Sequence, residues 1–198
     1  MKTAELLRQQ DELQAEASTV NDDLGLDGLL GRLGEPVRVG SARLGLMVRR
    51  DLDITVVCPR LGDTALAAVA GLGARLALHE RVGQVRFRKD TGTWNTDPAY
   101  PDGLYLGLGY RSPQGRTWSL DLWFVDEPER QPDLAHVRTL PGRLTPETRE
   151  AILRIKHAWA ERPEYGRSVR SWDVYRSVLD HGVRTVAEFD RWRAAAPA

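Results

Sequence analysis

The 198 residues suffice for one domain with a helical appendage, and at 41% hydrophobic and 28% charged they can bury a sizeable core, which excludes wholesale disorder. Lys plus Arg and Asp plus Glu each total 28, so the zero formal charge gives no general pull toward nucleic acid or an anionic membrane. The single cysteine, Cys58, excludes an intrachain disulfide and any multi-cysteine zinc site. No apolar run has membrane-spanning length, and the opening MKTAELLRQQDELQ is too polar for the core of a secretory signal, so the expected location is cytoplasmic, with no membrane partner.

Residues 3–18 are strong helix formers without Gly or Pro and predict a first helix; Leu24, Leu29 and Leu30 predict a second, ending near Gly34. Pro36 opens a short strand that stops at Gly40. After a glycine-containing loop, Leu52–Cys58 is β-branched and nearly continuously apolar, the pattern of a buried strand. Asp63 or Thr64 is the expected cap of a helix running toward Glu80. VGQVRFR, LYLGLGYR and TWSLDLWFV read as three more strands, the last two joined by an SPQG turn. Between the first two of these lies a long polar loop whose Trp94 and Tyr100 are placed to stack on a ring.

From Pro132 onward the pattern is helical: Thr145-Pro146 starts one helix, 168–181 carries a second apolar stripe, Thr185 and Glu188 form a capping box for a third, and 194–198 is a fraying tail. The order predicts an α+β fold, since strands pair without regular βαβ alternation. A first unit spans 1–130, with the N-terminal helices 1–35 included; a helical region, 131–198, packs on it.

The chemistry-bearing segment is Val39-Gly40-Ser41-Ala42-Arg43-Leu44-Gly45, followed by Asp51-Leu52-Asp53. Residues two apart on a strand share a face, so Asp51 and Asp53 converge at about 6–7 Å between Cα atoms while Leu52 points into the core. Adjacent carboxylates repel unless a cation bridges them, and hard oxygen ligands suit Mg²⁺. Gly40 and Gly45 permit tight turns, the exposed N–H groups and Ser41 can hold phosphate oxygens, and Arg43 can add a charge-assisted contact. Asp121, an acid inside an apolar strand, is the natural third carboxylate.

In these residues the chain resembles the nucleotidyltransferase superfamily of DNA polymerase β type, over about residues 36–125, and is most similar to its small bacterial and antibiotic-modifying branches. The resemblance implies a mixed sheet flanked by helices. It implies transfer of a nucleoside monophosphate from a triphosphate, ATP, to an acceptor hydroxyl with release of pyrophosphate. It also implies two Mg²⁺ ions on Asp51, Asp53 and Asp121, with Gly40, Ser41 and Arg43 on the phosphates. An aminoglycoside- or lincosamide-like hydroxyl, a protein side chain and an RNA end are all open as acceptor; a small molecule is favoured, and the neutral charge disfavours long RNA. The chain departs from the pattern at Arg49-Arg50, where many members have Ser before the first Asp, and this motivates the alternative of a non-catalytic nucleotide sensor or a toxin–antitoxin partner module.

Among the other candidates, Lys156 reads as an exposed helical lysine and Cys58 as a buried, inert thiol. His79, His136, His157 and His181 lack metal-ligand spacing.

Overall fold

Seven residues of mostly apolar, β-branched character form β2 (Asp51–Val57), the strand around which the sheet assembles. A computed structural model describes residues 2–195, and within them the sheet has five strands in the order β1-β2-β5-β4-β3. β1 (Glu35–Arg38) runs antiparallel to β2, and β2 runs parallel to β5 (Thr117–Val125). β4 (Gly103–Arg111) and β3 (Val82–Asp90) complete an antiparallel meander. The SPQG turn forms as expected: Gly115 adopts φ +77° and its N–H donates to Ser112 O at 2.8 Å.

One face of the sheet is dry. Leu52, Ile54 and Val56 of β2 and Leu120, Leu122 and Phe124 of β5 are nearly or fully buried. They pack with Leu13, Ala17 and Val20 of α1 (Thr3–Asp23), Leu26 and Leu30 of α2 (Leu26–Leu30), and Val69, Leu72 and Leu76 of α4 (Asp63–Ala77). Deleting one such leucine side chain costs on the order of 2–5 kcal/mol. Because side chains alternate along a strand, this burial turns every odd-numbered residue of β2 and β5 to the opposite face.

A second core joins α6 (Pro146–Trp159), α7 (Ser171–His181) and α8 (Val186–Ala195) around Ile152, Ile155, Val174, Val178 and Phe189. Leu44 and Leu46, which lie between β1 and β2 in the chain, belong to it. The predicted caps at Thr145 and Thr185 are present: Thr145 pairs reciprocally with Thr148, and Thr185 with Glu188. α5 (Pro132–Thr139) links the two parts.

The structure corrects three expectations. The Gly-Ser segment is a short helix, α3 (Gly40–Leu44), and not an open loop. α4 is capped by the backbone of Gly62, with no side-chain bond from Asp63 or Thr64, and ends at Ala77 instead of reaching Glu80. α8 extends through Ala195, so the tail expected to fray begins inside a helix and its residues 196–198 lie outside those described. Among the described residues no helix is long and apolar enough to cross a membrane.

Candidate active site

The turn into α3 is built by glycine chemistry. Gly40 sits at φ +60° and Gly45 at φ +66°, a region that side chains with a Cβ enter at a cost. Gly40 has a second constraint: a Cβ there would fall against the Asp53 carboxylate, within contact of Oδ2 and 3.0 Å from Cγ. The bare Gly40 backbone therefore lies directly on Asp53. Val39 N–H donates to Asp53 O at 3.0 Å, fixing that approach. Two side chains of α6 pin the far end of α3: Arg149 Nη1 donates to Gly45 O at 2.9 Å, and Lys156 Nζ to Leu46 O at 2.6 Å.

Asp51, Asp53 and Asp121 converge on the open face. In the parallel β2–β5 pair Asp53 stands directly opposite Asp121, and Asp51 opposite Ser119. One oxygen from each carboxylate lies within 4.8 Å of the others. At that separation, and an effective dielectric constant near 20, each pair of charges repels by roughly 3 kcal/mol. Burial and the neighbouring Asp121 push Asp51 up to about 6, with Lys156 and Arg49 pulling the other way. Burial, then Asp51 and Asp121, also raise Asp53 well above the ordinary carboxylate value. The set consists of hard oxygen donors whose mutual repulsion a divalent cation would relieve, so it fits Mg²⁺. Among the described residues it is the one group of three acidic, histidine or cysteine side chains close enough to hold a metal. Asp121 sits on the middle strand of the sheet, not on an edge facing solvent.

Tyr105, on β4, donates its hydroxyl to Asp121 Oδ1 at 2.5 Å. Burial and this bond hold the phenol well above its ordinary range. Gly107, directly opposite Asp121, leaves room for that ring: a Cβ at Gly107 would lie 2.5 Å from Tyr105 Oη. Arg88 Cζ lies 4.7 Å from the centre of the Tyr105 ring, and Trp123 packs on it at 4.9 Å.

Lys156 overturns the expectation of an exposed lysine. It is 1% exposed, with Nζ bonded to Leu46 O and 3.2 Å from Tyr175 Oη. Burial pulls it down to about 7, against the attraction of Asp51 and Asp53. The Tyr175 hydroxyl in turn neighbours Ser171 and Ser41. The buried amine thus ties the C-terminal helices to the end of the Gly-Ser segment and interacts with Asp51 and Asp53.

The arginines separate. Arg43 is exposed and lines a surface hollow with Gln14 and residues 35–38. Arg50 turns to α1, where Nε pairs with Glu16 at 3.0 Å. Arg49 lies over the Tyr165 ring, 4.7 Å from its centre. Cys58 is buried, and burial with Asp126 pushes its thiol up to about 11, in keeping with an inert role. His136 stacks on Trp172 at 4.0 Å, and His181 packs against Trp192.

Sequence reasoning missed Tyr105 and the burial of Lys156. The hairpin register held the signal for the first: a turn at 112–116 sets Asp121 opposite Gly107, and Tyr105 lies two residues along the same face. For the second, Ile152 and Trp159 flank Lys156 at helical spacing on a buried stripe.

No protein-family model matches the sequence, and no curated protein does. Solved structures do. Cid1 poly(U) polymerase bound to MgATP superposes with a TM-score of 0.58 at 20% identity, over 85% of this chain and 50% of the polymerase. Cid1 in complex with its short product ApU gives 0.55 at 16% identity, over 87% and 48%. A cytoplasmic RNA terminal U-transferase gives 0.54 at 18%, over 89% and 54%. The fold is a nucleotidyltransferase fold. The chain spans about half the length of these enzymes, and at such identities the likeness is one of architecture.

Proposed function

We propose that this protein is a divalent-metal-dependent nucleotidyltransferase, moving a nucleoside monophosphate from a nucleoside triphosphate to an acceptor hydroxyl. The observation that carries the reading is the junction of two features: three convergent carboxylates, and a Gly-Ser backbone seated against one of them. Asp51, Asp53 and Asp121 are the residues that would hold the metal. Bound Mg²⁺ supplies neutralisation of the triphosphate charge and orientation of its α-phosphate. Gly40 and Ser41 are assigned to the β- and γ-phosphates. Arg43 faces its own hollow, so the reading leaves it a peripheral electrostatic part. ATP is the donor that the sequence resemblance implies.

The acceptor oxygen forms a bond to the α-phosphorus as the bond to the β-bridging oxygen breaks, and pyrophosphate departs. Tyr105 engages Asp121 Oδ1, which leaves Oδ2 to receive the acceptor's proton. Lys156, when protonated, favours the ionised carboxylates, and it braces the end of the Gly-Ser segment through Leu46 O. The departure at Arg50 does not crowd this site, because its side chain is taken by Glu16.

The test uses triphosphates labelled at the α or the γ position, with Mg²⁺ and a panel of hydroxylated acceptors. The expected result is transfer of α label with stoichiometric pyrophosphate. Release of phosphate alone would place the displacement at the γ position and refute the mechanism. Tight nucleotide binding without any transfer would replace the enzyme with a sensor.

A further inference from the structure

The cations on the Gly-Ser side of the carboxylates are almost all engaged within the protein. Lys156 is 1% exposed with Nζ bonded to Leu46 O, so it cannot touch a ligand in the cleft. Arg149 Nη1 donates to Gly45 O at 2.9 Å, Arg50 Nε pairs with Glu16 at 3.0 Å, and Arg43 faces a separate hollow. Arg49 differs from all of these. Its side chain is exposed, and among the described residues it pairs with no carboxylate. Nη1 donates to Tyr165 O at 3.3 Å, and Cζ lies 4.7 Å from the centre of the Tyr165 ring.

The fold turns that free charge toward the carboxylates. Ser119 N–H donates to Arg50 O at 3.0 Å, so the ladder between β2 and β5 begins one residue before Asp51. Side-chain alternation carries back with it. Arg50 turns with Leu52 toward α1, where it meets Glu16, and Arg49 turns with Asp51 toward the open face, where it meets the segment between α6 and α7. That segment borders the open face, because Arg170 lines a cavity there together with Trp123 of β5. Arg49 also favours the ionised form of Asp51 and disfavours the charged form of Lys156, as a cation close to both must.

A guanidinium held by one long hydrogen bond and a ring face keeps most of its N–H donors unused. Its planar fork matches phosphate oxygens two at a time, and such a charge-assisted pair is stronger than a bond to a carbonyl. The donor nucleotide calls for a partner of this kind. Three carboxylates offset much of the charge of any divalent ions they hold, so the phosphates beyond the α position need positive charge from the protein in addition to backbone N–H groups.

We propose that Arg49 binds the phosphate tail of the donor and, on the function proposed above, is the residue by which the site distinguishes a nucleoside triphosphate from a monophosphate. Tyr165 holds the guanidinium at the cleft beforehand, which reduces the side-chain entropy lost on binding.

The test is calorimetry in Mg²⁺ with α,β-methylene-ATP, which cannot be cleaved at the α-phosphorus, and with AMP. The wild type should bind the analogue more tightly than AMP. Arg49→Ala and Arg49→Met, the second keeping a side chain on the Tyr165 ring, should lose about tenfold or more in affinity for the analogue, with little change for AMP. Arg49→Lys should recover part of the loss, and Arg50→Ala should bind both ligands like the wild type. Equal losses for analogue and AMP would make Arg49 a structural brace and overturn the proposal. So would analogue binding unchanged in both Arg49 variants, an equal effect of Arg50→Ala, or no binding of the analogue by the wild type. Because the analogue cannot react, these outcomes are separate from transfer: a wild type that binds through Arg49 yet transfers no label refutes the enzyme and keeps the assignment.

Discussion

Replacing Gly40 with alanine probes the contact on which the site depends. Alanine at φ +60° costs roughly 1–2 kcal/mol, since its Cβ crowds the following carbonyl. The new Cβ also overlaps the Asp53 carboxylate. Asp53 is held by its backbone, through the bond from Val39 N–H, so its side chain must yield. Turning a side chain about 30° off its rotamer costs about 0.5–1.5 kcal/mol. Together these come to about 1.5–3.5 kcal/mol, a fall in melting temperature of roughly 3–14 °C for a chain of this size. The rotated carboxylate no longer faces Asp121, so affinity for Mn²⁺ should fall at least tenfold. Gly28→Ala is the matched control, because nothing lies within 4 Å of a Cβ there and the position is helical. It should stabilise by about 0.5–1 kcal/mol. Thermal melts and Mn²⁺ calorimetry on both variants decide the matter. If Gly40→Ala melted like Gly28→Ala and bound Mn²⁺ like the wild type, the reasoning would be wrong.

The titrating groups set a pH profile for the metal-free protein. Asp51 and Asp53 bind protons more tightly folded than unfolded, so stability falls as pH rises from about 4 through about 6. Lys156 has the opposite sign: lowered to about 7, it makes stability rise between about 7 and 10. Melting in EDTA should therefore show a minimum near neutrality, and a monotonic rise from pH 4 to 9 would contradict the assignment. The stabilisation given by Mn²⁺ should grow over the window in which Asp51 ionises. Lys156→Met removes a cation that favours ionised Asp51 and should shift that window to higher pH; an unshifted profile would detach Lys156 from the site. Tyr105→Phe deletes a hydrogen bond to a charged group, worth about 1.5–3 kcal/mol, and should lower turnover about tenfold to a hundredfold with little change in triphosphate KM. Equal losses in kcat and in triphosphate affinity would instead point to general disruption.

The sheet was legible because strand alternation is a strong local signal. Leu52, Ile54 and Val56 turn inward together, which leaves Asp51 and Asp53 on the other face without any tertiary information. Asp121 was legible for a related reason, as an acid embedded in an apolar strand. That Asp121 stands opposite Asp53 was not, because parallel pairing joins segments with no turn between them to fix the register. The burial of Lys156 has a non-local cause that the sequence does not display: its partner, Leu46 O, lies 110 residues away, and lysine is otherwise almost never fully buried. The Gly-Ser segment reads as a loop in the sequence because five residues bounded by glycines carry little helix signal. What makes it helical is Ala42 in the first core with Leu44 in the second, and the brace from Arg149.

The measurement closest to the central claim compares pyrophosphate formation and nucleotide binding in the same samples of wild-type protein and Asp121→Asn, with Mg²⁺ and an acceptor that supports turnover. In the proposed reaction Asp121 is a metal ligand and receives the acceptor's proton, whereas the Gly-Ser segment, seated against Asp53, is assigned to the triphosphate. The wild type should release one pyrophosphate per α label transferred. Asp121→Asn should still bind triphosphate while turnover falls at least a hundredfold. Undiminished turnover in Asp121→Asn would contradict the three-carboxylate centre directly.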